Sequence, residues 1–211
     1  VCPGVEEKEN IVSKLINLLR DAHGFKENLK IIINKRIPLQ SGLGGGSSNA
    51  ASVLVAINKI FNLDLSKKKL INLALILGSD VPIFVHGRSS IATGRGEFFK
   101  KVSLVESPVL IIIPNSKVST KLAFKNFNNI ETIKYSNKKN YNSFENWIRK
   151  NFYEINKIFN FIENYNDAHL SGTGSAVYSM FNNFEEAQKI IDNAPSNMNC
   201  FLTTTLNNSP I

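Results

Sequence analysis

The stretch Pro38-Leu39-Gln40-Ser41-Gly42-Leu43-Gly44-Gly45-Gly46-Ser47-Ser48-Asn49 limits what this chain can fold into more than any other. Before it, residues 29–34 hold the β-branched triplet Ile31-Ile32-Ile33 without a helical period, which predicts a buried strand. After it, from about Ser47, Ala50, Ala51, Val53, Leu54, Ala56, Ile57 and Ile60 predict an apolar helix. The expected order is strand, glycine loop, helix. Without Cβ atoms in the way, such a loop can bring successive backbone N–H groups against an anion, and the helix start adds its own unpaired N–H groups and positive dipole end. Phosphate is the natural guest. The Walker A pattern fails because no Lys precedes Ser47 or Ser48, and the dinucleotide fingerprint fails because its third glycine position, counted from Gly42, is Ser47. A flexible linker seldom joins a buried strand directly to an apolar helix. Ser47 and Ser48 could donate to phosphate, reach a bound cation, or simply cap the helix.

The rest of the chain reads as mixed α and β. Residues 10–22 place Ile11, Leu15, Leu18, Leu19 and Ala22 at helical spacing, with Gly24 as the stop. Ser66 is the expected N-cap of a helix through Leu70, Leu73, Ala74 and Leu77 that ends at Gly78, leaving Asp80-Val81-Pro82 in the turn beyond. Residues 89–93 and 97–102 flank Gly94-Arg95-Gly96 as a hairpin, and 109–113 form a fully apolar strand. The Asn-, Lys- and Ser-rich span 126–146 reads as a solvated loop, followed by one helix over 147–165 through Ile148, Phe152, Ile155, Phe159 and Ile162. Then come His169-Leu170, a short loop at 171–175, a strand at 176–181, a helix at 184–194 and a strand near 200–206. A linker near 103–107 divides the chain into domains at 1–104 and 105–211, the second a separate α+β half. No internal repeat is visible.

Composition narrows the function classes. With 211 residues, 43% hydrophobic and 20% charged, and no apolar run near the ~20 residues a bilayer span requires, a disordered, collagenous or membrane-spanning chain is a poor fit. The net charge of +8 allows nucleic acid, anionic surfaces or phosphorylated small molecules. Lys and Arg are dispersed and no nucleic-acid motif occurs, so neither a nucleic acid nor a membrane is the expected partner. Cys2 and Cys200 lack metal-ligand spacing, which favours a reducing compartment, and His23, His86 and His169 are scattered, so no protein metal site is expected. The opening Val1-Cys2-Pro3-Gly4 is neither the basic nor the apolar part of a secretory signal.

Ile37-Pro38 followed by Gly42-Leu43-Gly44-Gly45-Gly46-Ser47-Ser48-Asn49-Ala50-Ala51 resembles the phosphate-binding motif of the GHMP kinase superfamily. Gly78-Ser79-Asp80-Val81-Pro82, Gly94-x-Gly96-Glu97 and Ser171-Gly172-Thr173-Gly174-Ser175 follow in the family's order, so the likeness covers nearly the whole chain from Pro3 to Pro210. The resemblance implies an α+β, two-domain GHMP kinase fold. Its N-terminal domain would be incomplete, since the strands bearing the family's catalytic Lys lie upstream of the Pro3-Gly4 region. It implies ATP bound by residues 38–48, with Mg2+ as counter-ion and no assignable protein ligand, and a cytidine diphosphate sugar alcohol as the small-molecule substrate. ATP-dependent phosphorylation of that alcohol belongs to the non-mevalonate isoprenoid route. Asp80 would orient the acceptor hydroxyl or take its proton; from spacing alone it would be an ordinary turn cap before Pro82. Thr120 and Phe124 match family contacts to substrate, Phe124 by stacking on cytosine, though an aromatic at helical spacing also suits a core. Gly172, Thr173 and Gly174 would close over the substrate, and without the family they read as a plain turn between strands. The implied location is cytoplasmic in a bacterium, or plastid after removal of a transit peptide. Another small-molecule GHMP kinase, or a nucleotide-binding remnant without the Lys segment, are the alternatives.

Overall fold

Helix periodicity and caps organise the first unit of the structure, a computed structural model that describes residues 10–127 and 142–210. Helix α1 (Ile11–His23) starts where the Asn10 side chain accepts from the Val12 N–H at 2.9 Å, and it ends at Gly24 in the left-handed region. Helix α2 (Gly45–Ile60) follows the glycine loop. The predicted Ser66 cap opens α3 (Lys67–Leu77), and Gly78 closes it. Where the sequence suggested only a turn, a short helix α4 (Val81–His86) begins instead, because Pro82 sits in its first turn, where a missing N–H is no loss. Leu15 and Leu19 of α1, Leu54 of α2, Ala74 of α3 and Val81 of α4 are buried in one apolar core. The hairpin β1 (Ser90–Thr93) and β2 (Phe98–Lys101) pairs Ser90 with Lys101 and Thr93 with Phe98.

This unit comprises 1–36, 44–104 and 206–211; the other comprises 37–43 and 105–205. The C-terminal return in the first unit is held by Asn207, whose side chain accepts from the Leu104 N–H at 2.9 Å and donates to the Leu104 carbonyl at 2.6 Å.

The second unit is built on a four-stranded antiparallel sheet in the order β4-β5-β3-β6. Its middle strand β3 (Pro108–Ile113) is buried along nearly its whole length, as a fully apolar run requires. It pairs on one side with β5 (Val177–Met180) and on the other with β6 (Asn199–Thr204), and β4 (His169–Leu170) flanks β5. Helices α5 (Thr120–Lys125), α6 (Glu145–Asn151), α7 (Tyr153–Glu163) and α8 (Phe184–Asp192) complete the unit, and Ile148, Ile155, Phe159, Ile162 and Ile190 pack with Leu110, Ile112 and Val177.

Three sequence expectations need correction. Residues 29–34 do not belong to either described sheet. Their burial nevertheless alternates, with Ile32 65% exposed between half-buried Ile31 and Ile33. The single helix over 147–165 is two helices, broken at Phe152, whose backbone is extended (φ −126°, ψ 93°) and whose ring meets Trp147 edge-on at 5.7 Å. Of the expected loop 126–146, residues 128–141 lie outside the described residues, and its end already forms the start of α6. No described helix is long and apolar enough to cross a membrane.

Candidate active site

Residues 37–43 of the glycine-rich stretch belong to the second unit, and those from 44 onward to the first. In the second unit, Ser41 is 3% exposed and its hydroxyl donates to the Pro38 carbonyl at 2.9 Å, folding 38–41 into a tight turn. Gln40 and Gly42 both have positive φ (59° and 75°). The turn is held from behind by residues 171–176: the Ser175 N–H donates to the Gln40 carbonyl at 3.3 Å and the Ala176 N–H to the Ser41 carbonyl at 2.9 Å. The Ser171 hydroxyl donates to the Gly42 carbonyl at 3.0 Å. A Cβ on Gly42 would overlap the Ser171 carbonyl oxygen and lie 2.8 Å from that of Gly174. One on Gly172 would lie 3.0 Å from the Gly42 oxygen. Only glycine fits these two facing positions, which explains why two separated glycine motifs occur in one chain. The 171–175 segment is therefore more than a connection between strands.

In the first unit, Gly44 is the N-cap of α2 in the left-handed region (φ 67°) with no side-chain cap, and the helix starts at Gly45 rather than near Ser47. The Ser48 hydroxyl donates to the Gly45 carbonyl at 3.1 Å, so it neither caps the helix nor stands free. A Cβ on Gly44 would lie 2.7 Å from Cζ of Phe84 on α4. Among the described residues, none of the backbone N–H groups of Gly42, Leu43, Gly44, Gly45, Gly46 and Ser47 meets an acceptor. Those of Gly44 to Ser47 stand at the start of a sixteen-residue helix, where unpaired donors and the positive dipole end favour an anion.

Asp80 is exposed and occupies the N-cap position of α4, yet its side chain makes no cap hydrogen bond. Its backbone (φ −90°, ψ −12°) is not the extended form that aims a cap oxygen at the helix N–H groups. The plain capping role left open by the sequence is not realised. Asp80 stands one turn before Phe84, so both lie on one side of α4, and Phe84 reaches Gly44. Gly96 at the hairpin tip (φ 111°) presses on the adjacent Ser79, and a Cβ there would overlap the Ser79 carbonyl oxygen.

In the second unit, α5 brings Thr120 to Thr173, their hydroxyls 3.3 Å apart. Phe124, also on α5, is 59% exposed and not a core residue; it meets Phe144 edge-on at 5.1 Å and Phe127 at 6.4 Å. Sequence reasoning missed Asn142 and Glu145, which lie in the span read as solvated loop. Asn142 donates to the carbonyls of Leu170 at 3.0 Å and Gly172 at 2.7 Å. Glu145 accepts from the Leu170 N–H at 3.4 Å, and burial pushes its carboxyl above the usual range. Neither residue has a motif around it; only the fold brings them to the turn. In the other unit, His86 is held below the ordinary histidine value by burial and by nearby Lys67 and Arg88. The described residues contain no group of three His, Cys, Asp or Glu able to hold a metal.

Family models and known proteins match the chain over most of its length. The family description "GHMP kinases N terminal domain" matches residues 10–88, and "GHMP kinases C terminal" matches 121–200. The chain is 33% identical over 214 residues to a 4-diphosphocytidyl-2-C-methyl-D-erythritol kinase of Psychromonas ingrahamii, covering 99% of this chain and 75% of that one. It is 36% identical to the protein of the same name from Wigglesworthia glossinidia brevipalpis, over 97% of this chain and 71% of that one. A crystal structure of 4-(cytidine 5'-diphospho)-2C-methyl-D-erythritol kinase superposes with a TM-score of 0.80 at 26% identity, covering 97% of this chain and 80% of that one. A homoserine kinase from Cytophaga hutchinsonii shares the fold, with a TM-score of 0.67 at 18% identity over 97% of this chain and 78% of that one.

Proposed function

From the premise that the chain belongs to the GHMP kinase family, we propose that it transfers the γ-phosphoryl group of ATP to the 2-hydroxyl of 4-diphosphocytidyl-2-C-methyl-D-erythritol. The observation that supports a phosphoryl donor most strongly is the run of acceptor-less N–H groups from Gly42 to Ser47 at the positive end of α2. Phosphoryl transfer asks a protein for positioning and charge stabilisation more than for covalent chemistry. Residues 38–48 would grip the polyphosphate: the amides of Gly42 to Ser47 directly, and Pro38, Gln40 and Ser41 by setting the turn.

Asp80, with its carboxylate free of capping, would aim the acceptor hydroxyl and receive its proton as the oxygen bonds to the γ-phosphorus and the bond to the ADP oxygen breaks. Thr120, Gly172, Thr173 and Gly174 would line the acceptor side, and exposed Phe124 would stack on the cytosine. Mg2+ would neutralise phosphate charge when bound. Such an ion is held chiefly by nucleotide phosphates and waters.

The direct test mixes the protein with γ-labelled ATP and either 4-diphosphocytidyl-2-C-methyl-D-erythritol or homoserine. Label transferred to the cytidine compound alone is the expected result. Transfer to homoserine alone would reassign the acceptor, and transfer to neither would remove the kinase reading.

A further inference from the structure

We infer that Asn142 is a positioning residue for the acceptor substrate: it locks the 171–174 turn and the Phe124 aromatic patch into one fixed arrangement. This rests on the acceptor contacts proposed above. The Asn142 amide makes three hydrogen bonds, using both of its donors. Its Nδ2 donates to the Leu170 carbonyl at 3.0 Å and the Gly172 carbonyl at 2.7 Å, and its Oδ1 accepts from the Phe144 N–H at 2.9 Å. The opposite amide orientation would face an oxygen with two carbonyls and an NH2 with an N–H, so only one orientation is possible.

The partners lie on two segments, the carbonyls on 170–172 and the N–H on Phe144. The Gly172 carbonyl is in the peptide that leads into Thr173, whose hydroxyl meets that of Thr120. Phe144 meets Phe124 edge-on at 5.1 Å and Phe127 at 5.4 Å. The segment 142–144 thus ties the turn to the aromatic patch within a single unit. Glu145 reinforces it by taking the Leu170 N–H, so both backbone groups of Leu170 are held from this segment. Gly172 has positive φ (54°), and a turn with so little steric restriction of its own needs an external hold to keep one geometry.

The contacts between this turn and the glycine loop take a different route. The hydrogen bonds run through Ser171, Ser175 and Ala176, with Gly172 meeting the loop only by packing against Gly42, and the Ser171 N–H donates to the Ala176 carbonyl at 2.9 Å. Loosening Asn142 therefore affects the acceptor side more than the nucleotide side.

The test compares kcat and the two KM values in Asn142→Asp, Asn142→Ser, Phe124→Ala and Ser179→Ala. Asn142→Asp is isosteric and keeps the acceptor for the Phe144 N–H, but it replaces two donated bonds with oxygen facing oxygen. Losing such bonds raises the acceptor KM by about tenfold to a hundredfold, while the ATP KM stays within about threefold. Asn142→Ser, which adds no charge, gives a smaller rise in the same direction and decides the matter if the Asp variant does not fold. Ser179→Ala removes a buried hydroxyl that donates to the Asp167 carbonyl at 2.6 Å. It controls for lost stability alone: it lowers Tm and leaves the acceptor KM in place. Asn142 variants with parental acceptor KM, beside a raised KM in Phe124→Ala, would overturn the inference and leave the substrate reading standing. Parental acceptor KM in Phe124→Ala and in the Asn142 variants alike would overturn both.

Discussion

Replacing Gly42 with Ala should damage the protein far more than the same change at Gly24, although both glycines have left-handed backbones (φ 75° and 62°). The conformational cost of a Cβ at such angles is about 1–2 kcal/mol and is common to the two. At Gly24 nothing lies within 4 Å of the added atom, so that is the whole cost. At Gly42 the new Cβ overlaps the Ser171 oxygen and sits 2.8 Å from the Gly174 oxygen, well inside the ~3.5 Å of an ordinary contact. The turn must move away. Doing so strains the bonds of Gln40 to Ser175 (3.3 Å), Ser41 to Ala176 (2.9 Å) and Ser171 to Gly42 (3.0 Å). At about 1 kcal/mol for each bond lost, Gly42→Ala costs roughly 4–5 kcal/mol in all. A displacement of about 1 Å at a binding loop also costs on the order of 10²-fold in rate, so kcat/KM for ATP should fall by about that factor while Gly24→Ala keeps parental kinetics. Denaturant unfolding and steady-state kinetics on both variants measure these quantities. Equal stability losses with unchanged kcat/KM in Gly42→Ala would refute the close packing of the two glycine turns.

Asp80→Asn keeps the size of the side chain and removes its charge. Turnover should fall by about 10²–10⁴-fold with the Kd for an ATP analogue nearly unchanged, and parental kcat would remove Asp80 from the chemistry. Gly96→Ala pushes on the Ser79 carbonyl beside Asp80, so it should lower kcat without disturbing nucleotide affinity measured by calorimetry. Glu145, whose carboxyl titrates above the ordinary value because of burial, contributes stability that is present at low pH and lost as pH rises through its native pKa. Glu145→Gln should therefore gain on the parent at neutral pH. That advantage should shrink on acidification towards the ordinary carboxylate range, and a pH-independent difference in unfolding free energy would contradict it.

Elements with strong local signals were legible in the sequence. The Ser66 cap, the Gly24 and Gly78 stops, the hairpin around Gly94-Arg95-Gly96 and the apolar run of β3 each depend on residues close to one another in the chain. Features that depend on distant partners were not. Ile31-Ile32-Ile33 favours extended backbone, but pairing within a sheet is decided by residues elsewhere in the chain. The break at Phe152 is invisible to periodicity, since Ile148 and Ile155 remain on a helical stripe across it. The glycine loop suggested a phosphate guest through its composition. Its support by Ser171, Ser175 and Ala176, and the grip of Asn142 on Gly172, span more than a hundred and about thirty residues of chain respectively, and nothing local encodes them. Asp80 lay between cap and catalyst on spacing alone, and only in three dimensions is it seen that its side chain makes no cap hydrogen bond.

Amide-resolved NMR during titration with a non-hydrolysable ATP analogue tests the central claim most directly. The N–H resonances of Gly44, Gly45, Gly46 and Ser47 should move downfield together and saturate with nucleotide, as donors do on meeting phosphate oxygens. Saturable binding that leaves those four resonances in place would contradict the account, because the polyphosphate would then be held elsewhere.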